Sequence, residues 1–222
     1  MKTVLVVQAR LGSIRLPGKC LMSMAGKPML QRVLERLEPL RVVCDDLVLA
    51  VPDYDFLGWI ANVAEWICIR GPERDVLERF CRVADQTHAD VMIRVTGDCP
   101  LIDPHVTYAV FKAFQKSRAD YASNCFPRMV PDGLDTEVFT ADALHIANGN
   151  TYDPADREHV TPYLWDTRRI HDFKTIVVGD EVLGRYRHMK WSVDTREEFD
   201  WAESIFRKWG DHVTAKELVA RL

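Results

Sequence analysis

An α/β fold is predicted for this chain: a doubly wound, mostly parallel sheet, with an irregular α+β extension in the second half. Three observations predict it. Short apolar runs alternate with segments of helical spacing through the first half of the sequence. A loop holding Gly12, Gly18 and the cations Arg10, Arg15 and Lys19 follows the first apolar run. Apolar residues make up 47% of the 222-residue chain, which is ample for a packed core. That length suits a single domain, 1–222, with roughly 120–190 as an extension within it.

Each element has its own signal. Val4 to Val7 reads as a buried strand, and Pro28 to Leu37 as a helix. Asp46 to Val51 is a second strand, Leu57 to Glu65 a helix, and Trp66 to Arg70 a third strand. Asp75 to Thr87 carries Val76, Leu77, Phe80 and Val83 on one helical face. Asp90 to Val95 is a fourth strand, and Asp103-Pro104 supplies an N-cap followed by Pro at the first helical position. Tyr121 to Ser123, Thr136 to Phe139, Phe173 to Val178 and Lys190 to Val193 read as strands. Ala141 to Asn148, Arg157 to Thr167 and Thr195 to Lys208 read as helices. Ligands of such sheets bind beyond the carboxyl ends of the strands. That rule places Gln8 to Lys19, Arg70 to Asp75 and Thr96 to Asp103 on one rim.

Composition excludes several classes. The net charge of −4 gives no electrostatic case for nucleic acid or a membrane surface. No apolar run approaches a membrane span, and the N-terminus lacks the pattern of a signal peptide. The six cysteines form no C-x-x-C pair, so zinc and redox motifs are unsupported and a reduced, cytoplasmic protein is expected.

The cationic loop is the strongest chemical signal. Free backbone N–H groups in a Gly-containing loop, with fixed cations beside them, suit a polyphosphate. It is not a P-loop, because five residues separate Gly12 from Gly18-Lys19 and Cys20 stands where Ser or Thr would bind Mg²⁺. A dinucleotide fingerprint is also absent. A solvated surface loop is the competing reading.

A polyphosphate brings Mg²⁺, which takes one or two carboxylates together with phosphates and water. Asp98, after a strand and between Gly97 and Pro100, is the first candidate; an Asx-turn is its ordinary alternative. Asp194 could instead cap the following helix. Thr195 and Glu198 have the better capping-box spacing, which leaves Asp194 free. Asp132, Asp135 and Glu137 suit sugar hydroxyls or a polar hairpin edge, with Asp135 and Glu137 on one side of a strand. His159 and Arg157 could face a sugar from their helix, or Arg157 could pair with Glu158. Asp53-Tyr54-Asp55 formally matches a D-x-D motif, yet reads better as a cap or turn.

The segment Val6 to Lys19, with Ala25 to Met29, resembles the opening of the sugar cytidylyltransferases, the group that makes CMP-activated ulosonic and nonulosonic acids. The likeness is nearest to the branch named for the spore coat polysaccharide biosynthesis protein SpsF. Arg70 to Leu77, Arg94 to Asp103, Asp132 to Phe139 and Arg157 to Tyr163 extend it over nearly the whole chain. The resemblance implies a Rossmann-like nucleotidyltransferase domain similar to the GT-A fold. It implies nucleotide contacts from Gln8, Ala9, Arg10, Gly12, Ser13, Arg15, Lys19, Arg70, Asp75, Thr96 and Gly97. Among these, Gln8, Arg70 and Asp75 are the suggested base or ribose contacts. Arg10, Arg15, Lys19 and Asp98 take catalytic roles, Asp98 and Asp194 hold Mg²⁺, and Asp132, Asp135, Glu137, Arg157 and His159 meet the sugar. It further implies a homodimer built through the extension.

The expected activity is Mg²⁺-dependent transfer of CMP from CTP to an acidic sugar with release of pyrophosphate, for surface or spore-coat polysaccharide. One alternative is a sugar-phosphate or alditol-phosphate acceptor, which needs extra cations near the acceptor site that Arg128, Arg157, Arg168 and Arg169 could supply. A glycosyltransferase consuming a nucleotide sugar is a second, and a nucleotide-binding module without turnover a third. Tyr163, Leu164 and Trp165 either join a dimer interface or cover the sheet within one subunit.

Overall fold

Val4, Leu5, Val6 and Val7 expose nothing to solvent, because the strand they form lies inside the sheet, paired on both edges and with helices on both faces. The structure, a computed structural model, describes residues 1–166 and 173–222. The first half runs β1 (Thr3–Gln8), a small hairpin of β2 (Ser23–Met24) and β3 (Lys27–Pro28), then α1 (Met29–Leu37), β4 (Asp46–Pro52) and α2 (Gly58–Val63). It continues through β5 (Ile67–Gly71), α3 (Val76–Thr87), β6 (Val91–Thr96) and α4 (Pro104–Ser117). The second half adds β7 (Tyr121–Ser123), β8 (Glu137–Thr140), α5 (Ala141–Asn150), α6 (Pro154–His159) and α7 (Pro162–Trp165). It closes with β9 (Thr175–Val177), α8 (Arg196–Trp209) and α9 (Ala215–Val219).

Among the described residues the main sheet has seven strands in the order β5-β4-β1-β6-β8-β7-β9. β5, β4, β1 and β6 are parallel, β8 runs antiparallel between β6 and β7, and β9 pairs parallel with β7. Leu5 and Val7 pack with Leu30, Val33, Leu34 and Leu37 of α1 on one face. That i, i+3, i+4, i+7 stripe stabilises by about 1.5–3 kcal/mol per buried side chain before entropy. Val4 and Val6 pack with Phe80 and Val83 of α3 and Leu144 of α5 on the other face. A third cluster joins Trp191 and Val193 to Phe199, Ala202 and Ile205 of α8 and to Met24 of the hairpin. The predicted alternation and doubly wound arrangement are therefore present.

The structure departs from expectation in four places. The helix expected over 157–167 is two short helices, α6 and α7. Pro162 opens α7, where a missing N–H is harmless, and Val160 before it takes a left-handed φ of 72°. Lys190 to Val193 is not a strand; Trp191 and Ser192 both donate to the Asp132 carbonyl, at 2.6 and 3.0 Å, and Val193 donates to the Asp98 carbonyl at 2.8 Å. Asp135 precedes β8, so it does not share a strand face with Glu137. The β2–β3 hairpin and α9 carry too few residues for a periodic signal and were not expected. Thr167, Arg168, Arg169 and His171 lie outside the described residues. Tyr163, Leu164 and Trp165 pack onto the α3 face of the sheet, so this cluster covers the subunit's own core.

Candidate active site

The loops after β1 and β6 touch because position 97 carries no side chain. A Cβ on Gly97 would lie 2.9 Å from Ala9 Cβ and 3.0 Å from Gln8 O, and Gly97 N donates to that same carbonyl at 2.8 Å. This contact closes the floor of a cavity of about 470 Å³ at the carboxyl ends of the central strands. Ala9, Arg10, Ser13, Arg15 and Lys19 reach it from the first loop, Thr96, Gly97 and Asp98 from β6 and the turn after it, and Asp194 from the N-terminal approach to α8. The rim predicted from topology is real, and it gathers these residues.

The cationic loop is braced from below. Leu11 N donates to Asp55 Oδ2 at 3.1 Å, Gly18 N to Leu11 O at 3.3 Å, and Gly18 turns the chain at a φ of 71°. A Cβ on Gly12 would stand 3.0 Å from Glu73 Oε1, so Gly12 serves loop packing and does not line the cavity.

Lys19 is the centre of the site. Its ammonium donates to Asp98 Oδ2 at 3.1 Å, to Asp194 Oδ1 at 3.1 Å and to the Val193 carbonyl at 2.6 Å. Burial disfavours its charge, but the two carboxylates outweigh burial and raise its pKa, so it remains an ammonium. Asp194 also meets Arg15 Nη2 and Lys190 Nζ, each at 2.8 Å from Oδ2. Burial would raise the Asp194 pKa; hydrogen bonds from Lys190 and Lys19 overcome it and lower the value to about 2. Thr195 and Glu198 form the capping box of α8, which leaves the Asp194 carboxylate outside the helix as expected.

Lys19 thus does not project free into the cavity; its three donors are engaged. Arg15 is the most exposed cation of the loop, and Arg10 meets Glu158 Oε1 at 3.2 Å on the rim. Asp98 and Asp194 converge on one positive charge. Among the described residues no group of three or more His, Cys, Asp or Glu gathers as a metal site. Two carboxylates are the number that a Mg²⁺ shell completed by phosphates and water ordinarily takes from a protein.

The acidic cluster divides. Asp132 and Asp135 line the cavity. Arg128 forks onto both oxygens of Asp135, at 2.6 and 2.9 Å, while burial pushes the Asp135 carboxyl up. Gly133, at a φ of 111°, permits the contact with Trp191 and Ser192, since a Cβ there would lie 2.6 Å from Ser192 N. Glu137 is buried beneath the floor, where it accepts from Arg94, from Tyr121 Oη at 2.6 Å and from Thr161 Oγ1 at 2.5 Å.

Three further residues expected at the site do not line the cavity. Arg70 donates to the carbonyls of Pro52, Asp53 and Asp55 and holds the loop after β4. Asp75 caps α3 and accepts from Arg157 Nε at 2.6 Å. Arg157 also holds Asn148 and Thr151, so it ties α6 to α3 and α5, whereas His159 on the same helix does line the cavity. In the Asp53-Tyr54-Asp55 segment, Tyr54 meets Glu73, Asp53 meets Arg82 and Asp55 braces the cationic loop. It is a structural turn.

Arg79 and Arg94 line the cavity and were not singled out in the sequence. Each is a cation on a buried apolar face, Arg94 within β6 and Arg79 on the α3 stripe. A charge at a core position was the signal available. All six cysteines are free; burial pushes the Cys20 and Cys44 thiols up to about 12, consistent with small apolar fillers. Among the described residues no helix is long and apolar enough to cross a membrane.

A family model described as Cytidylyltransferase matches residues 4–206. The chain is 30% identical to spore coat polysaccharide biosynthesis protein SpsF of Bacillus subtilis, covering 98% of this chain and 92% of that protein. A cytidylyltransferase from Leptospira borgpetersenii superposes with a TM-score of 0.91 at 27% identity, over 100% of this chain and 93% of that one. The structure of a CMP:2-keto-3-deoxy-manno-octonic acid synthetase complexed with CTP gives 0.71 at 18% identity, over 94% of this chain and 99% of that one, a likeness of fold.

Proposed function

The chain belongs to the cytidylyltransferase family and is a nucleotidyltransferase, and on that premise we propose that it transfers CMP from CTP to an acidic sugar with Mg²⁺ as cofactor. The observation that carries this reading is the convergence of Asp98 and Asp194 on one cation, between a cationic loop and a separate carboxylate-bearing end. The sugar reading also draws on the neighbour whose substrate is a keto-deoxy acid and whose nucleotide is CTP.

In the proposed reaction an anomeric hydroxyl oxygen of the sugar attacks the α-phosphorus. The bond to the bridging oxygen of the β-phosphate breaks, pyrophosphate leaves, and the hydroxyl proton passes to solvent water. Arg10 and Arg15 hold the triphosphate, and Lys19 keeps the two aspartates in place and adds positive charge under the leaving group. Asp98 and Asp194 would hold Mg²⁺, which when bound neutralises phosphate charge and lowers the pKa of the attacking hydroxyl. Asp132 and Asp135 accept hydrogen bonds from sugar hydroxyls.

A phosphate-bearing acceptor is less well served. Arg128 is committed to Asp135, and Arg157 to Asp75. Product mass decides: a CMP-sugar carries one phosphorus, whereas a phosphate acceptor yields a diphosphate.

A cytoplasmic homodimer completes the proposal. Phe126, Val177 and Val182 of the extension are partly exposed and offer apolar surface. Light scattering should give a dimer mass at micromolar protein; a monomer with full activity contradicts it.

A further inference from the structure

Besides the Lys19 centre, two chemically different groups of residues line the cavity. Toward β8 it presents the carboxylates of Asp132 and Asp135. Toward α3 it presents Gln8, Arg79 and Arg94, with Val76 and Ala9 as apolar wall. A flat ring with acceptor atoms suits the donors that Gln8 and the two arginines offer there.

The donor character of Gln8 is enforced from beneath. Arg94 Nε donates to the Gln8 side-chain oxygen at 2.9 Å, and a guanidinium has no acceptor, so the atom facing it must be Oε1. Arg94 is in turn held by Glu137, which Tyr121 and Thr161 also grip. The Gln8 amide therefore cannot reverse without setting two donors face to face. Its Nε2 has no hydrogen-bond partner among the described residues. Arg79 beside it donates through Nη1 to the Pro72 carbonyl at 3.1 Å, and its Nε is buried away from the cavity.

We infer that Gln8 is a specificity-determining residue for the nucleobase, its NH2 group turned to the cavity by Arg94 and Glu137 and donating to the N3 acceptor of cytosine. The inference rests on the reading of CTP as substrate. Uracil carries a hydrogen at N3, so the same amide would meet it donor to donor. Arg94 and Glu137 act as positioning residues, since Glu137 lies below the cavity floor.

Calorimetric titration of the full chain with CTP and with UTP, at equal Mg²⁺, tests this. The wild-type protein is expected to bind CTP more tightly. Gln8→Glu keeps an oxygen for Arg94 and turns a second oxygen to the cavity, where it accepts from uracil N3–H. Its added charge weakens both nucleotides alike, so the CTP-over-UTP ratio isolates the base, and that ratio should fall by about tenfold or more. Gln8→Leu should also lower it. Glu137→Gln should lower the ratio together with the melting temperature; a lower melting temperature with an unchanged ratio would remove Glu137 from the relay. A wild-type preference for CTP that survives both Gln8 variants overturns the inference and leaves the CTP reading standing. A wild-type protein that does not distinguish CTP from UTP overturns the CTP reading, and the inference with it.

Discussion

Asp98 and Asp194 come from opposite halves of the chain and grip the same ammonium group, Lys19 Nζ, each at 3.1 Å. The pairing is built by backbone: Val193 N donates to the Asp98 carbonyl at 2.8 Å, so the approach to α8 is sewn to the turn after β6. Two carboxylates brought so close repel unless a cation sits between them.

Asp98→Asn and Asp194→Asn should each lower kcat by on the order of 10²-fold or more, because each removes charge from the phosphate-facing centre. Titrating activity against Mg²⁺ checks the role. A higher Mg²⁺ requirement in both variants is expected, and an unchanged requirement in both would remove them from metal binding.

Lys19→Ala should cost on the order of 10²-fold in kcat. It also leaves Asp98 and Asp194 facing each other without their shared cation, so the nucleotide-free protein should melt at a lower temperature. Arg15→Lys should lower activity too, since an ammonium cannot fork onto phosphate oxygens. Full activity in both variants would show that the loop is not the phosphate site.

Gly133→Ala should destabilise the protein by roughly 1–3 kcal/mol, for the left-handed backbone and the contact with Ser192. A Cβ at 2.6 Å from Ser192 N cannot be accommodated in place. Because Ser192 leads directly to Asp194, activity should fall further than the folded fraction does. Activity per folded molecule, from denaturant titration and kinetics together, separates the two effects.

The hairpin clamp gives a pH prediction. Arg32 donates to the Met24 and Ala25 carbonyls and to Asp211 Oδ1, the last at 2.6 Å. Burial opposes ionisation of Asp211, but Arg32 and Lys27 outweigh it and lower its pKa below the ordinary 3.8. A carboxylate lowered on folding stabilises at pH above 3.8 and loses that contribution as pH falls through its folded value. Asp211→Asn should therefore melt below wild type at neutral pH, with the gap closing as acid is added. A gap independent of pH would contradict the clamp.

The fold of the first half was legible because, apart from the short β2–β3 hairpin, its elements repeat a simple period, as in Leu30, Val33, Leu34 and Leu37. The second half was less so. Lys190 to Val193 has strand composition but serves as a strap between two loops, and Pro162 breaks what spacing alone reads as one helix. In the site, short loop motifs placed Arg15, Lys19, Asp98 and Asp194 together, because their turns come from the same sheet rim. Glu137 and Asp75 lie outside the cavity for one reason: a carboxylate beside a predicted site can as well be spent on a neighbouring arginine. Arg94 takes the first and Arg157 the second, and those long-range partners leave no local pattern.

The central claim is tested most directly by pyrophosphate release. The chain is incubated with Mg²⁺, a panel of 2-keto-3-deoxy and nonulosonic acids, and each of CTP, UTP, ATP and GTP in turn. Release with CTP that requires one of these acids, and stops when Mg²⁺ is chelated, is the predicted result. Acceptor-dependent release with another nucleotide and none with CTP, or none with any nucleotide across the panel while CTP binds, would contradict it.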